Sequence, residues 1–259
     1  LLGTDPDQMV SNIMMDEPLT LEHDDKAETA AQAFERYDLV SAPVVDKDGK
    51  LVGRVTVNAV VDYIRQATET EQLSRAGLRE GEDIFASVWD SVKNRWAWLA
   101  VNMVTAFIAS RVIGAFEGSI EKLVALAALM PIVAGIGGNS GNQTITMIVR
   151  ALALGQVQQE SARVLLRKEI GVAMVNGLIW GSLLGFVAWW LYRSVALGAV
   201  MTAAMMLNLI VAATVGVAVP LLRQRLGYDP AIGSSVLITA VTDSGGFFIF
   251  LGLATLFLL

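Results

Sequence analysis

Apolar and polar positions follow two different regimes along this chain of 259 residues. Up to about residue 66 the pattern is periodic and short-ranged. Ala27, Ala30, Ala31, Phe34 and Tyr37 recur at helical spacing, which predicts an amphipathic helix over KAETAAQAFERYD. The following SAPVVDKDGKLVGRVT reads as two short strands joined by an Asp-Lys-Asp-Gly turn, and a further helix is expected from near Val57. Beyond residue 95 the period fades because nearly every position is apolar. Five stretches, 96–116, 123–148, 170–192, 197–222 and 231–258, approach the roughly 20 apolar residues that a helix needs to cross a bilayer.

Charge divides the chain at the same place. Residues 1–92 hold 19 of the 25 acids and 8 of the 19 bases, a net −11, whereas residues 93–259 carry +5. An acidic part followed by a long apolar, slightly basic part indicates two regions in different solvents. With no cysteine, disulfides and thiolate metal sites are excluded. The opening LLGTDPDQMV has no initiator Met and no basic-then-apolar leader, so the chain is expected to begin inside a longer protein. Lys93, Arg95, Arg150, Arg163, Arg167, Lys168, Arg223 and Arg225 flank one set of span ends; Lys122, Arg193 and Arg111 are the counterweight. This bias predicts a cytoplasmic N-terminal part and an outward C-terminus.

Two polar interruptions carry the candidate chemistry. Asp243 is the one ionisable group between Pro230 and Leu259, set among Thr239, Thr242, Ser244, Gly245 and Gly246. An ionised Asp at a helix centre costs about 2.5–3.5 kcal/mol on insertion scales, so it belongs in a bundle interior or a wet path. A hydrogen bond to a neighbouring helix is the structural alternative. No Lys, Arg or His lies at its depth in the other spans, which favours a mobile cation as counter-ion. The second interruption is PIVAGIGGNSGNQTITM, residues 131–147, where Pro131 and Gly135, Gly137, Gly138 and Gly141 are expected to loosen or break the helix. Asn139, Asn142 and Gln143 would then face inward together with freed carbonyls. Gly137 and Gly141 also fit a close helix contact, as do Gly177, Gly181 and Gly185, for which simple packing is the expected role.

The connector QATETEQLSRAGLREGEDIFASVWDSVKNRW is expected to be helical, and it carries Glu69, Glu71, Glu80, Glu82, Asp83 and Asp90. It is either a solvated face or a surface on which a divalent cation relieves the repulsion between acids. His23, in a charged turn, reads as a surface residue.

The order VSNIMMDEPLTLEHDD, helix, two strands, helix resembles a single CBS motif. Thr56-Val57-Asn58-Ala59 stands where CBS nucleotide sites carry Thr-x-x-Asp, so an adenine nucleotide is not expected on this half alone. MPIVAGIGGNSGNQTITMIVRALALG, the late TDSGG, the five spans and the CBS motif together resemble the MgtE family of magnesium channels. The resemblance implies a membrane all-α homodimer with five transmembrane helices per chain, preceded by a partial α/β CBS domain and a connecting plug helix. The corresponding boundaries are 1–66, 67–95 and 96–259. It also implies a pore on the two-fold axis, with the ion at Asp243 of both chains and at the backbone carbonyl of Thr239. Gly137, Gly138, Asn139, Asn142, Gln143 and Thr242 are the expected pore-lining positions. Asp83 and Glu80 match acids of the plug helix, Glu82 adds to that cluster, and Asp229 matches an acid that meets the plug. Asn58 and Ala59 stand where the family has CBS sensor acids, and an upstream superhelical domain and first CBS motif are implied outside these residues.

The chemistry is consistent with that resemblance. Mg²⁺ keeps several waters and takes one or two carboxylates, and two copies of Asp243 supply the −2 that one divalent ion requires. Oxygen ligation disfavours soft metals without ranking Mg²⁺ against Mn²⁺, Co²⁺ or Ca²⁺. No Gly-x-x-x-x-Gly-Lys-Ser/Thr loop is present, and inward movement gains roughly 4.6 kcal/mol per 100 mV for two charges, so the expectation is a channel in the cytoplasmic (inner) membrane rather than a pump or an enzyme. The alternatives are an exchanger of Mg²⁺ for Na⁺ or H⁺ and a membrane-anchored CBS sensor. Membrane lipid is an expected partner and nucleic acid is not.

Overall fold

The computed structural model describes residues 7–9, 12, 18–75, 77–78, 85–153, 161–231 and 233–259. Two compact units divide near residue 72. Glu80, Glu82 and Asp83 lie outside the described residues.

In the first unit, β1 (Leu21–Glu22), β2 (Ser41–Val45) and β3 (Leu51–Thr56) form a sheet in that order. β1 pairs parallel to β2 (Leu21 opposite Val44), and β2 pairs antiparallel to β3 (Ala42 opposite Val55). The turn between β2 and β3 is held by Asp46, whose Oδ1 accepts from the backbone N–H of Asp48 and Lys50 at 3.0 and 2.8 Å. Gly49 supplies the φ of +74° that closes it, a conformation costly for a residue with a Cβ. Helix α1 (Ala27–Tyr37) turns Phe34 inward, and α2 (Val57–Arg75) contributes Val60. With Leu21 and Ala42 they make the small core, while Ala30 and Ala31 sit against its edge as the helical spacing required. His23 is exposed.

The connector departs from the expected continuous helix. α2 ends at Arg75, Gly77 has φ +77°, and residues 85–87 are non-helical before α3 (Val88–Ala115) begins. The break has local chemistry behind it. Ser87 takes an extended conformation and accepts the Asp90 N–H, while its own hydroxyl donates to the Asp90 carboxylate at 2.6 Å. That is an N-terminal cap, and it starts a new helix. Asp90, read as a member of the acidic cluster, serves this cap.

The second unit is helical throughout: α3, then α4 (Glu117–Lys122), α5 (Ala125–Ala153), α6 (Ala162–Tyr192), α7 (Val195–Arg225) and α8 (Ser234–Leu258). Among the described residues, α3, α6, α7 and α8 are long and apolar enough to cross a membrane. α5 is as long as these, 29 residues or about 43 Å at 1.5 Å per residue, but its amides and glycines dilute the apolar character. α7 is the hub: it packs on α5, α6 and α8, while α3 lies on the outside of α8. The core cluster includes Leu126, Val133, Met201, Met205, Leu209, Phe250 and Leu251. α3 buries only Ala109, and its Leu99, Met103, Phe107 and Ile108 are exposed, which suits a helix bathed in hydrocarbon rather than water.

The expectation of a loosened or broken helix at 131–147 is not met. α5 runs without interruption through Pro131 and all four glycines. Gly137, Gly138 and Gly141 are buried notches that neighbouring side chains fill, so the packing energy that holds the helix is concentrated where its intrinsic propensity is weakest. Pro131 is exposed in the second turn, away from that contact.

Candidate functional site

The site is built where α5, α7 and α8 meet. Along α8, Ile238, Thr242, Gly246 and Phe250 are fully or nearly buried at three- to four-residue spacing, so this face is committed to the bundle. Asp243 and Thr239 lie beside that face, each half-buried. Among the described residues the Asp243 carboxylate has neither a hydrogen-bond donor nor a basic partner, so the alternative of a structural hydrogen bond to a neighbouring helix is not realised within this chain. Thr242 is buried, and its hydroxyl is spent on its own helix, donating to the Ile238 carbonyl at 2.8 Å and approaching the Thr239 carbonyl at 3.3 Å.

α5 meets α8 through its glycines. A Cβ on Gly138 would lie 3.4 Å from Thr242 Oγ1, and one on Gly141 would collide with Ile238 Cγ1. Gly137 and Gly138 are thus buried behind the surface, Gly137 against Asn208 of α7 and Gly138 against Thr242 of α8. The amides lie elsewhere on the helix. Asn139 and Gln143 are exposed, Asn142 is half-buried, and with exposed Gly135 they form one polar face of α5. Asn139 and Gln143 also border a cavity of about 360 Å³ with Ser140, Asn176 and Trp180.

Asp229 sits in the turn before α8. Its Oδ1 accepts from the Ala231 N–H at 2.8 Å, and its carbonyl accepts from Arg223 Nε at 3.0 Å. The carboxylate keeps its second oxygen for another partner. No cluster of three or more metal-ligating side chains occurs among the described residues. In the first unit, a cavity of about 250 Å³ is lined by Glu22, His23, Asp25 and Tyr63 among others.

Two polar residues of the bundle escaped sequence reasoning. Asn208 of α7 is fully buried and donates from Nδ2 to the Val133 carbonyl at 2.9 Å. Its amide fills the space left by Gly137 on one side and Gly246 on the other, joining α5 to α8 one turn past Asp243. A lone Asn in the run MTAAMMLNLIVAA was the available signal, since a polar side chain in an apolar span needs a partner on another helix. Glu169 of α6 is 3% exposed and accepts from Thr144 Oγ1 at 3.2 Å; Lys168 Nζ is 3.7 Å from its other oxygen. It lay just outside the stretch read as a span, in the basic sequence RKE. Gly216 makes room for Thr144, as a Cβ there would come within 3.0 Å of it. The stripe Gly177, Gly181 and Gly185 faces α7, against Met206, Thr202 and Gly198, as simple packing requires.

A helical bundle with four apolar spans among the described residues, following a small α/β unit in the sequence, is the architecture of a multi-pass membrane protein with an appended CBS-type domain. Comparison with known proteins makes this specific. Residues 130–253 match the family model of MgtE, described as a divalent cation transporter, and residues 10–66 match that of the CBS domain. The chain therefore carries an MgtE-family domain behind a CBS domain. It is 34% identical over 261 aligned residues to the "Magnesium transporter MgtE" of Thermus thermophilus, 30% over 261 to that of Bacillus subtilis and 26% over 258 to that of Enterococcus faecalis. All of this chain is covered in each comparison, but only 58%, 57% and 57% of the relatives, so it spans less than two thirds of their length.

Proposed function

We propose that this chain conducts Mg²⁺ across the cytoplasmic membrane as a homodimeric channel, with the ion held largely hydrated between the two copies of Asp243. The observation that carries the reading is an acid in an apolar helix, half-buried and with no basic or hydrogen-bonding partner among the described residues. Such a group is expensive unless something outside the chain neutralises it. A symmetry mate and a divalent ion do so together. The relatives' name, magnesium transporter, and the family's description as divalent cation transporters support the choice of cargo. Mn²⁺, Co²⁺ and Ca²⁺ are competing ions with the same preference for oxygen.

The polar face of α5 fits the same picture. A surface of Asn139, Asn142 and Gln143 has no place against hydrocarbon, and on a dimer axis it offers dipoles to the waters of a hydrated ion. Gly137 acts from behind it by seating α5 on Asn208 of α7, Gly138 and Thr242 by fixing α5 to α8, and the Thr239 carbonyl lies one turn from the acid. This makes α5 the fifth span, with the N-terminal part cytoplasmic and the C-terminus outside. The division at 1–66, 67–95 and 96–259 then separates a CBS unit, an acidic plug and the pore. Asp83, Glu80 and Glu82 of the plug and Asp229 before α8 bind cytoplasmic Mg²⁺ and close the pore when it is plentiful.

Mg²⁺ flux into liposomes holding the purified protein tests this reading. Wild type conducts down an inside-negative potential with no counter-ion gradient, Asp243→Asn does not, and Asp83→Asn or Asp229→Asn relieves inhibition by Mg²⁺ on the cytoplasmic side. Flux strictly dependent on a Na⁺ or H⁺ gradient would replace the channel with an exchanger. Undiminished flux in Asp243→Asn would remove the pore site.

A further inference from the structure

A cavity of about 400 Å³ opens on the side of the bundle between the first turns of α6 and the last turns of α7. Its walls are Ala162 and Leu166 of α6 and Val217, Ala218, Leu221 and Leu222 of α7, and beneath it lies the packed cluster of Ile148, Leu152 and Val217. Thr214, Val219 and two arginines, Arg163 and Arg225, also line it. Both are exposed, and among the described residues neither has an ion-pair or hydrogen-bond partner. No acid lines the cavity among the described residues.

The dimensions are informative. Along α7 the lining runs from Thr214 to Arg225, about 16 Å at 1.5 Å per residue. Half of a bilayer's hydrocarbon core is about 15 Å. The groove is therefore one leaflet deep, apolar along its length, with bases from both helices at the helix ends. Its volume lies within the roughly 300–1,000 Å³ of small-molecule sites. A soluble metabolite would leave the apolar walls unused, and a hydrocarbon chain alone would leave the arginines unused.

We propose that this groove binds one anionic phospholipid, with an acyl chain along α7 past Ala218 and the phosphate between Arg163 and Arg225. The proposal rests on the reading that α6 and α7 span the membrane, and it is independent of what Asp243 does. Basic pockets between spans on one side of a membrane are suited to anionic head groups. The guanidinium fork matches phosphate geometry and adds direct hydrogen bonds to the charge attraction. Bound in this way, the lipid would tie α6 to α7 at the end where Arg193 and Ser194, which form their short turn, are absent.

Native mass spectrometry of the purified chain in detergent is the test, with dioleoyl phosphatidylglycerol, dioleoyl phosphatidylcholine and inorganic phosphate added separately. Phosphatidylglycerol is expected to bind in preference to phosphatidylcholine. Its affinity should fall about fivefold for each of Arg163→Gln and Arg225→Gln, and about 25-fold for both, while phosphatidylcholine is unaffected. Ala218→Trp, which fills the groove and leaves the charges, should displace the anionic lipid. Equal binding of the two lipids, or undiminished phosphatidylglycerol binding in the double variant, would overturn the site. So would occupancy by phosphate alone, which needs no groove, or loss of self-association in Ala218→Trp with lipid binding intact, which would make the groove a seat for a second copy. Asp243→Asn must keep wild-type lipid binding, so failure of the transport reading and failure of this site are separately visible. A chain that does not partition into liposomes at all would overturn both.

Discussion

Asn208 and Asp243 are both polar residues in apolar helices, and the bundle treats them in opposite ways. Asn208 is packed in: two glycines on different helices leave a socket for one amide, and its Nδ2–H donates to the Val133 carbonyl, while its buried Oδ1 has no hydrogen-bond partner among the described residues. Asp243 is left half-open with no partner among the described residues. A residue whose charge the chain does not neutralise is the better candidate for ion chemistry. Asp243 was legible in the sequence because a carboxylate in such a run is costly wherever it points. Asn208 was not, because an amide's cost depends on whether a partner is present, and Val133 is 75 residues away in sequence. The socket can be tested directly. Gly137→Ala puts a Cβ into the Asn208 amide and should destabilise the bundle by about 1–3 kcal/mol, the usual cost of overpacking. Thermal unfolding should show the fall, and Asn208→Ala in the same chain should recover most of it, since the two changes share one space. Additive losses would mean that the two residues do not meet.

At the scale of the element, α5 shows where composition misleads. Pro131 and four glycines argue against a helix when each is counted by its own propensity. The helix survives because those positions fall into two groups with different surroundings. Gly137, Gly138 and Gly141 lie at the contact with α7 and α8, where a missing side chain allows close approach, whereas Gly135 has nothing within 4 Å of where a Cβ would be. Sequence reading had the polar face of Asn139, Asn142 and Gln143 and a close contact for Gly137 and Gly141, but it also expected the glycines to loosen or break the helix, which they do not. In the connector, the acids Glu69 and Asp90 looked like parts of one helix, yet the Ser87–Asp90 cap marks a fresh start. The stripe on α6 was read correctly because three glycines at four-residue spacing leave few other uses. Its consequence is measurable. Gly185→Ala places a Cβ against Thr202 Oγ1 and 2.5 Å from the Gly198 carbonyl, which is backbone and has no rotamer to yield. It should lower the unfolding temperature of the detergent-solubilised protein markedly. Gly135→Ala should leave the unfolding temperature unchanged or raise it, because helix propensity favours Ala over Gly by up to about 1 kcal/mol. The reverse order would contradict the packing described for α6 and α7.

Across the whole molecule, an acidic part followed by an apolar part was written in the charge distribution, which changes sign after residue 92, whereas the two compact units divide near residue 72, inside α2. The β2–β3 hairpin and the start of α2 at Val57 were also legible, because turn chemistry and alternation are local signals, whereas the two-residue β1 was not. Symmetry is not a local signal. That two carboxylates match the charge of a divalent ion is an electrostatic argument, and the proposal built on it brings in a second chain that no local pattern announces. The central claim is therefore that two copies of Asp243 share one ion. A covalently linked pair of chains, one wild type and one Asp243→Asn, tests it most directly when reconstituted and assayed for Mg²⁺ flux at fixed inside-negative potential. A shared site has lost half its charge in that pair, so flux should fall far below half of the wild-type pair, close to that of the doubly substituted one. Flux at half of wild type would mean that each chain conducts through its own site, and the paired-carboxylate account would be wrong.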